Sequence, residues 1–136
     1  MNIAFFLLPK AETITLTLEA TLRQTLEKME YHRYTAVPIL DKNGAYAATV
    51  TEGDLLWFMK NENLSFEQTS RVTLSEVPMR VRNKPVRIDA NMEDLISLAK
   101  AQNFVPVVDD MQRYIGIVRR SDIIDYCAKS IFQEKS

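Results

Sequence analysis

Short apolar runs alternate with amphipathic stretches along this chain, and they come in two matching sets. Ile14-Thr15-Leu16 and Val86-Arg87-Ile88 alternate apolar and polar side chains, the pattern of short strands. Leu22, Leu26 and Met29 follow the first strand at spacings of four and three, as Met92, Ile96 and Ala99 follow the second. Each trio predicts a helix with one apolar face. Val37-Pro38-Ile39-Leu40-Asp41 and Val105-Pro106-Val107-Val108-Asp109 then read as strands opening near a proline. Asp41-Lys42-Asn43-Gly44 is a turn signal, because Asn-Gly accepts positive φ readily, and Asp109-Asp110-Met111-Gln112 is a weaker copy of it. Further strands are expected over 45–50 and 113–118, and closing helices over about 53–60 and 121–130. Asp54 and Asp122 fall in the opening turns of those helices, where a carboxylate suits the positive end of the dipole.

The two sets are related by a near-constant offset. At 68 residues Val37 falls on Val105, Tyr46 on Tyr114, Val50 on Val118, Asp54 on Asp122 and Leu55 on Ile123. A period this long exceeds that of solenoid repeats and points to a duplicated subdomain. The expected division is a first unit over 1–62 that includes a short N-terminal helix, a docked connector over 63–84, and a second unit over 85–136. Within the connector, Ser65-Phe66-Glu67-Gln68 resembles a helix start, and Leu74 to Val77 predicts a second short helix before Pro78. The opening run from Ile3 to Leu8 is too short to span a membrane or to serve as a secretory signal, and is expected to pack on the core.

Composition narrows the class. The chain has 136 residues, 46% hydrophobic and 26% charged, with a net charge of −1. That balance is globular, and it argues against a general nucleic-acid binder, which carries a basic excess. The single cysteine, Cys127, excludes an intrachain disulfide and suits a reducing, cytoplasmic setting. His32 is the only histidine, with no Cys or Asp at ligand spacing, and it is expected to be an ordinary residue near the end of the first helix. Three glycines in the whole chain leave no room for a Gly-rich phosphate loop. No metal site, no catalytic constellation and no cofactor are expected.

The pairing of Val-Pro-Ile-Leu-Asp (37–41) with Ala-Thr-Val-Thr-Glu-Gly-Asp (48–54) resembles the signature of a CBS domain. So does Val-Pro-Val-Val-Asp (105–109) with Gly-Ile-Val-Arg-Arg-Ser-Asp (116–122). Two in tandem resemble a CBS pair, or Bateman module. The resemblance implies an α/β (α+β) fold of two pseudo-symmetric β-α-β-β-α units packed as one compact module. It also implies a regulatory, non-catalytic role. Such pairs bind adenosine-containing ligands (AMP, ADP, ATP, S-adenosylmethionine or cyclic di-AMP) in the cleft between the copies, usually form homodimers, and signal to a partner protein, here unknown.

By the same resemblance, Asp54 and Asp122 accept hydrogen bonds from ribose hydroxyls, a task suited to an acceptor-only group. The plain alternative for each is a helix cap. Thr51 conforms to the family's phosphate position, whereas Arg119 departs from it. Arg119 and its neighbour Arg120 would contact phosphate through a guanidinium fork, or Arg119 would fill the pocket. Arg80, Arg82, Lys84 and Arg87 would add positive charge if they converged. The adenine pocket is expected from Thr17, Thr35 and Ala36 in the first copy and from Asp89, Asn103 and Phe104 in the second. Ala48 stands where the family has glycine. With Thr51-Glu52 in one copy and Arg119-Arg120 in the other, a phosphorylated ligand is expected to prefer the second. The competing reading is a ligand-free interaction and dimerisation module, with Trp57, Phe58 and Met59 as interface groups.

Overall fold

The structure, a computed structural model, describes residues 2–80 and 83–135, the side chains of 133–135 excepted. Along the chain run β1 (Leu8–Pro9), β2 (Leu16–Thr17), α1 (Leu22–His32), β3 (Ala36–Leu40), β4 (Tyr46–Thr51) and α2 (Glu52–Asn61). Then follow β5 (Val86–Arg87), α3 (Met92–Ala99), β6 (Phe104–Val108), β7 (Tyr114–Arg119) and α4 (Arg120–Lys135). The chain divides into two compact units. One runs from Ile14 through the connector, and the other joins the segment up to Thr13 to everything from Asn83 onward.

The first copy is a three-stranded sheet in the order β2-β3-β4, with β2 parallel and β4 antiparallel to the central β3. The second repeats it as β5-β6-β7 and adds a fourth strand, in the order β1-β7-β6-β5. The central strands are apolar throughout because both their faces are covered. Val37, Ile39, Val50 and Leu55 are buried in one core, and their counterparts Val105, Val107, Val118 and Ile123 in the other.

Pro38 and Pro106 lie at the third residue of their strands rather than at the start. The parallel partner begins pairing only at Ile39 and Val107, one residue later, so the missing N–H forfeits no ladder bond on that side. The turns behave alike in both copies. Asp41 Oδ1 accepts from the N–H groups of Asn43 and Ala45, and Asp109 Oδ1 from those of Met111 and Arg113. Gly44 has φ 81° and Gln112 has φ 66°, so the second copy forms the same left-handed turn without glycine.

Leu22 and Met29 are buried on α1 as expected, but the middle of each helix face is shifted by one position. On α3, Leu95 is fully buried and Ile96 is exposed, while on α1 Thr25 is fully buried and Leu26 only partly so. Thr25 is tolerated there because its Oγ1 donates to the Thr21 carbonyl at 2.9 Å. Thr21 also closes a capping box with Gln24.

The N-terminal run is a short 3-10 helix, Ile3–Phe6, with Ile3 fully buried, which agrees with the expected packing. Its place in the fold differs from the expected one, because β1 pairs antiparallel with β7 and so belongs to the second copy. The connector docks on the first copy. Its two 3-10 turns, Glu67–Ser70 and Leu74–Glu76, fall where short helices were expected. The Leu74 N–H donates to the Ala20 carbonyl, and Arg23 donates to the Phe66 carbonyl and lies over its ring. Among the described residues no helix is long and apolar enough to cross a membrane.

Candidate functional site

Each copy has a groove between its closing helix and the segment of chain that leads into the following unit or precedes the fold. The two grooves are built from equivalent positions. In the first copy the helix side is Asp54, Trp57, Phe58 and Asn61, and in the second it is Asp122, Asp125, Tyr126 and Lys129. All four pairs obey the 68-residue offset. Their spacing of three, four and seven is that of one helix face.

The opposite walls are unlike. Pro78, Glu76 and Arg80 of the connector face the first groove, which encloses about 150 Å³. Phe5, Phe6, Leu7 and Leu8 face the second, which encloses about 540 Å³. Phe6 packs edge-on against Tyr126 at 5.4 Å between ring centres. Of these two grooves, the second falls in the ~300–1,000 Å³ range of small-molecule sites and the first does not.

The two aspartates differ in state. Thr51 is the N-cap of α2 and forms a reciprocal box with Asp54: its Oγ1 accepts from the Asp54 N–H at 3.1 Å, and its own N–H donates to Asp54 Oδ2 at 3.1 Å. The Arg80 N–H reaches Asp54 Oδ1 at 3.4 Å, so both carboxylate oxygens are engaged and the residue is buried. Asp54 is thus a cap in this structure. Asp122 stands at the same helical position, but Arg119 has no acceptor with which to complete a box. Its Nε instead donates to Asp122 Oδ2 at 2.9 Å, with both side chains partly open to solvent.

The other anticipated residues are only partly gathered. Arg120 is turned away: its Nε donates to the Gln102 carbonyl at 2.9 Å, and it does not line the groove that holds Arg119. Glu52 lines a different depression, between α1 and α2, so the acidic neighbours of the first groove are Glu62 and Glu76. Ala36 pairs with Thr51 and the Thr35 carbonyl accepts from the Glu52 N–H, which places both beside the start of α2. Thr17 does not join them. It is in register with Leu40, four residues along β3 from Ala36, roughly 13 Å away.

The second copy repeats this. The Asn103 carbonyl accepts from the Arg120 N–H, and Phe104, buried, pairs with Arg119. Asp89 lies beyond the far end of β6 and is exposed, ion-paired to Arg87 at 3.4 Å. The parallel register of β2 and β5, which the sequence does not announce, separates Thr17 and Asp89 from the rest. Of the extra cations, Arg80 lines the first groove, Lys84 and Arg87 do not line the second, and Arg82 lies outside the described residues.

His32 ends α1, exposed, with its ring stacked near that of Tyr34 and edge-on to that of Tyr31. Residues 5–8 and Asp125, Tyr126 and Lys129 were not anticipated in the site. The helical spacing from Asp122 was the available signal for the last three.

A duplicated α/β unit with an equivalent groove beside the closing helix of each copy defines the class. The sequence profile of the CBS domain matches twice, over residues 8–61 and 74–129, and the chain belongs to that family. A CBS domain-containing protein of Dictyostelium discoideum is 26% identical over 125 residues, covering 85% of this chain and 84% of its own. Among solved structures, Listeria monocytogenes CbpB in complex with c-di-AMP superposes with a TM-score of 0.82 at 19% identity, covering 96% of this chain and 98% of its own. CBSX2 in complex with AMP gives 0.71 at 23%, covering 99% and 98%. A hypothetical conserved protein of Geobacillus kaustophilus gives 0.83 at 21%, covering 96% and 98%. At these identities the likeness is one of fold.

Proposed function

We propose that this chain is a regulatory sensor that binds an adenosine-containing nucleotide in the groove of its second copy and passes that state to a partner protein, without catalysis. The observation that carries the reading is the second groove itself. It combines about 540 Å³ of space, an aromatic and aliphatic wall at Phe5–Leu8 and Tyr126, a partly open carboxylate at Asp122, and two cations, Arg119 and Lys129. The bound c-di-AMP of CbpB and the bound AMP of CBSX2 support the ligand class by analogy of fold.

Charge favours the same copy. Two cations face two carboxylates in the second groove, whereas Arg80 alone faces Asp54, Glu62 and Glu76 in the first. The residues differ from those anticipated, since neither Glu52 nor Arg120 takes part, but the direction of the preference is unchanged. A charge-assisted hydrogen bond is worth about 1.5–3 kcal/mol, or roughly ten- to a hundredfold in affinity. Titration calorimetry with AMP, cyclic di-AMP and S-adenosylmethionine tests this. Asp122→Ala is expected to weaken the ligand that binds by tenfold or more. Asp54→Ala is expected to lower stability with a smaller effect on affinity. Equal losses of affinity in the two variants would move the site to both copies, and no binding by the unmodified chain would end the reading.

Self-association has its own support. Leu56 and Ile124 are equivalent positions on α2 and α4, and they are 61% and 56% exposed. Large apolar side chains left open at the same place in both copies are what a self-associating chain would cover, and a second copy of this chain is the proposed occupant.

A further inference from the structure

Outside the two grooves, three helix positions are charged in both copies, and the sign reverses at every one. The N-caps Thr21 and Asn91 set the offset between α1 and α3 at 70, while α2 and α4 begin at Glu52 and Arg120 and keep the offset of 68. Arg23 therefore falls on Glu93, Glu30 on Lys100 and Glu52 on Arg120. The apolar positions beside the last two keep their character, with Leu26 falling on Ile96 and Leu56 on Ile124. We infer that self-association pairs opposite copies: the α1–α2 face of one chain covers the α3–α4 face of a second copy of this chain, with Glu30 and Glu52 set against Lys100 and Arg120. This rests on the self-association reading above and assigns its orientation.

Each face is built from two pairs of residues four apart, which share one side of a helix. On the first, Leu26 with Glu30 and Glu52 with Leu56 line one depression of about 910 Å³, over the buried Met29 and Leu55. On the second, Ile96 stands four residues before Lys100, and Arg120 four before Ile124, on helices that pack against each other. Glu30, Glu52 and Lys100 are exposed and Arg120 is half-buried. Among the described residues none of these four charges is in an ion pair, and the Arg120 Nε donates to the neutral Gln102 carbonyl. Arg33, at the C-cap of α1, also lines the first depression, where the two carboxylates outnumber it. Arg23 is committed to the connector through Thr69 and the Phe66 carbonyl. Each face thus offers an apolar centre beside unneutralised charge, acidic in the first copy and basic in the second. Pairing first to first or second to second brings like charges together, which disfavours association, whereas opposite charges steer it and fix the register. In a two-fold dimer every such contact is made twice. Duplication supplies the matching apolar positions, and the reversal of sign selects which face each one meets.

Sedimentation velocity of the full chain and of charge variants tests the orientation, with circular dichroism to confirm the fold. Glu30→Lys with Glu52→Arg gives both faces the same sign, and it is expected to raise the dissociation constant of the dimer about tenfold or more. Adding Lys100→Glu and Arg120→Glu to that variant exchanges the charges of the two faces. The exchange is expected to bring the constant back to within about threefold of the unmodified chain. Glu30→Lys, alone and then with Lys100→Glu, repeats the comparison without touching the head of α4. An unchanged or tighter constant for Glu30→Lys with Glu52→Arg would overturn the inference in favour of pairing between like copies, while leaving the self-association reading standing. A loss that the exchange of charges does not restore, in either set of variants, would overturn it as well. A monomeric unmodified chain would overturn both.

Discussion

Gly116 and Ala48 occupy the same place in the two copies, and their difference reports the fold at the level of single atoms. A Cβ on Gly116 would collide with the Leu8 carbonyl oxygen and approach Leu7 Cδ1 to 2.8 Å, because β1 lies directly against β7 there. β4 carries no added strand, and Ala48 is accommodated. The glycine that the family resemblance ties to close backbone approach is therefore required here by the chain's own N-terminal segment. Gly116→Ala is expected to lower stability by about 1–3 kcal/mol, the range for an overpacked site. Ala48→Gly should cost only about 0.5–1 kcal/mol through backbone entropy. Urea denaturation midpoints compare the two, and equal losses would show that β1 does not hold its place against β7 in solution. The same contrast divides the aspartates. Residue identity made Asp54 and Asp122 look alike, yet one is closed by a threonine and the other is held by an arginine.

At the scale of elements, the turn between β6 and β7 carries a titratable lock. Hydrogen bonding from the Arg113 backbone lowers the Asp109 pKa against an opposing effect of burial, and the Met111 N–H and the Arg113 guanidinium add to the lowering. A carboxylate with a depressed folded-state pKa stabilises above its ordinary value, near 3.9, and that contribution is lost as pH falls through the folded value. Hydrogen-exchange protection of the Met111 and Arg113 amides is expected to fall on acidification below about pH 4. In Asp109→Asn, where Oδ1 survives without a charge, the profile should be flat over the same window. Parallel acid loss in both proteins would assign the change to other carboxylates. This turn also shows what the sequence made legible. The apolar blocks, the offset of 68 and the Asp that opens each turn were readable, and the ten main elements, five in each copy, followed from them. The left-handed Gln112 was not, since only the closed geometry of the turn enforces it. Nor was the place of Thr25, which hides its hydroxyl against its own helix and so reads as polar while lying in the core. In the site, Asp122 and Arg119 were legible from the motif, but the wall at Phe5–Leu8 depends on a strand pairing more than a hundred residues away in sequence, beyond any local pattern.

At the scale of the molecule, duplication gives two cores of similar design and leaves two matching apolar positions uncovered. Val50 and Leu55, with their counterparts Val118 and Ile123, complete the interior of each copy. The next residue on each closing helix, Leu56 or Ile124, points out of its core and stays more than half exposed. Trp57 is 44% exposed beside the first, and Ile131 is 53% exposed further along the second helix. Burying a leucine or isoleucine side chain is worth about 1.5–3 kcal/mol, so several such residues covered together offset a useful part of the entropy of association. Interface cores are also depleted of charge, and a single carboxylate at either position should be enough to weaken the contact. Light scattering of the unmodified chain at tens of micromolar is expected to give twice the chain mass. Leu56→Asp combined with Ile124→Asp should give the monomer with an unchanged circular dichroism spectrum, because neither side chain contributes to a core. A monomer mass for the unmodified chain, or a dimer that survives both substitutions, would place the function of these exposed positions elsewhere.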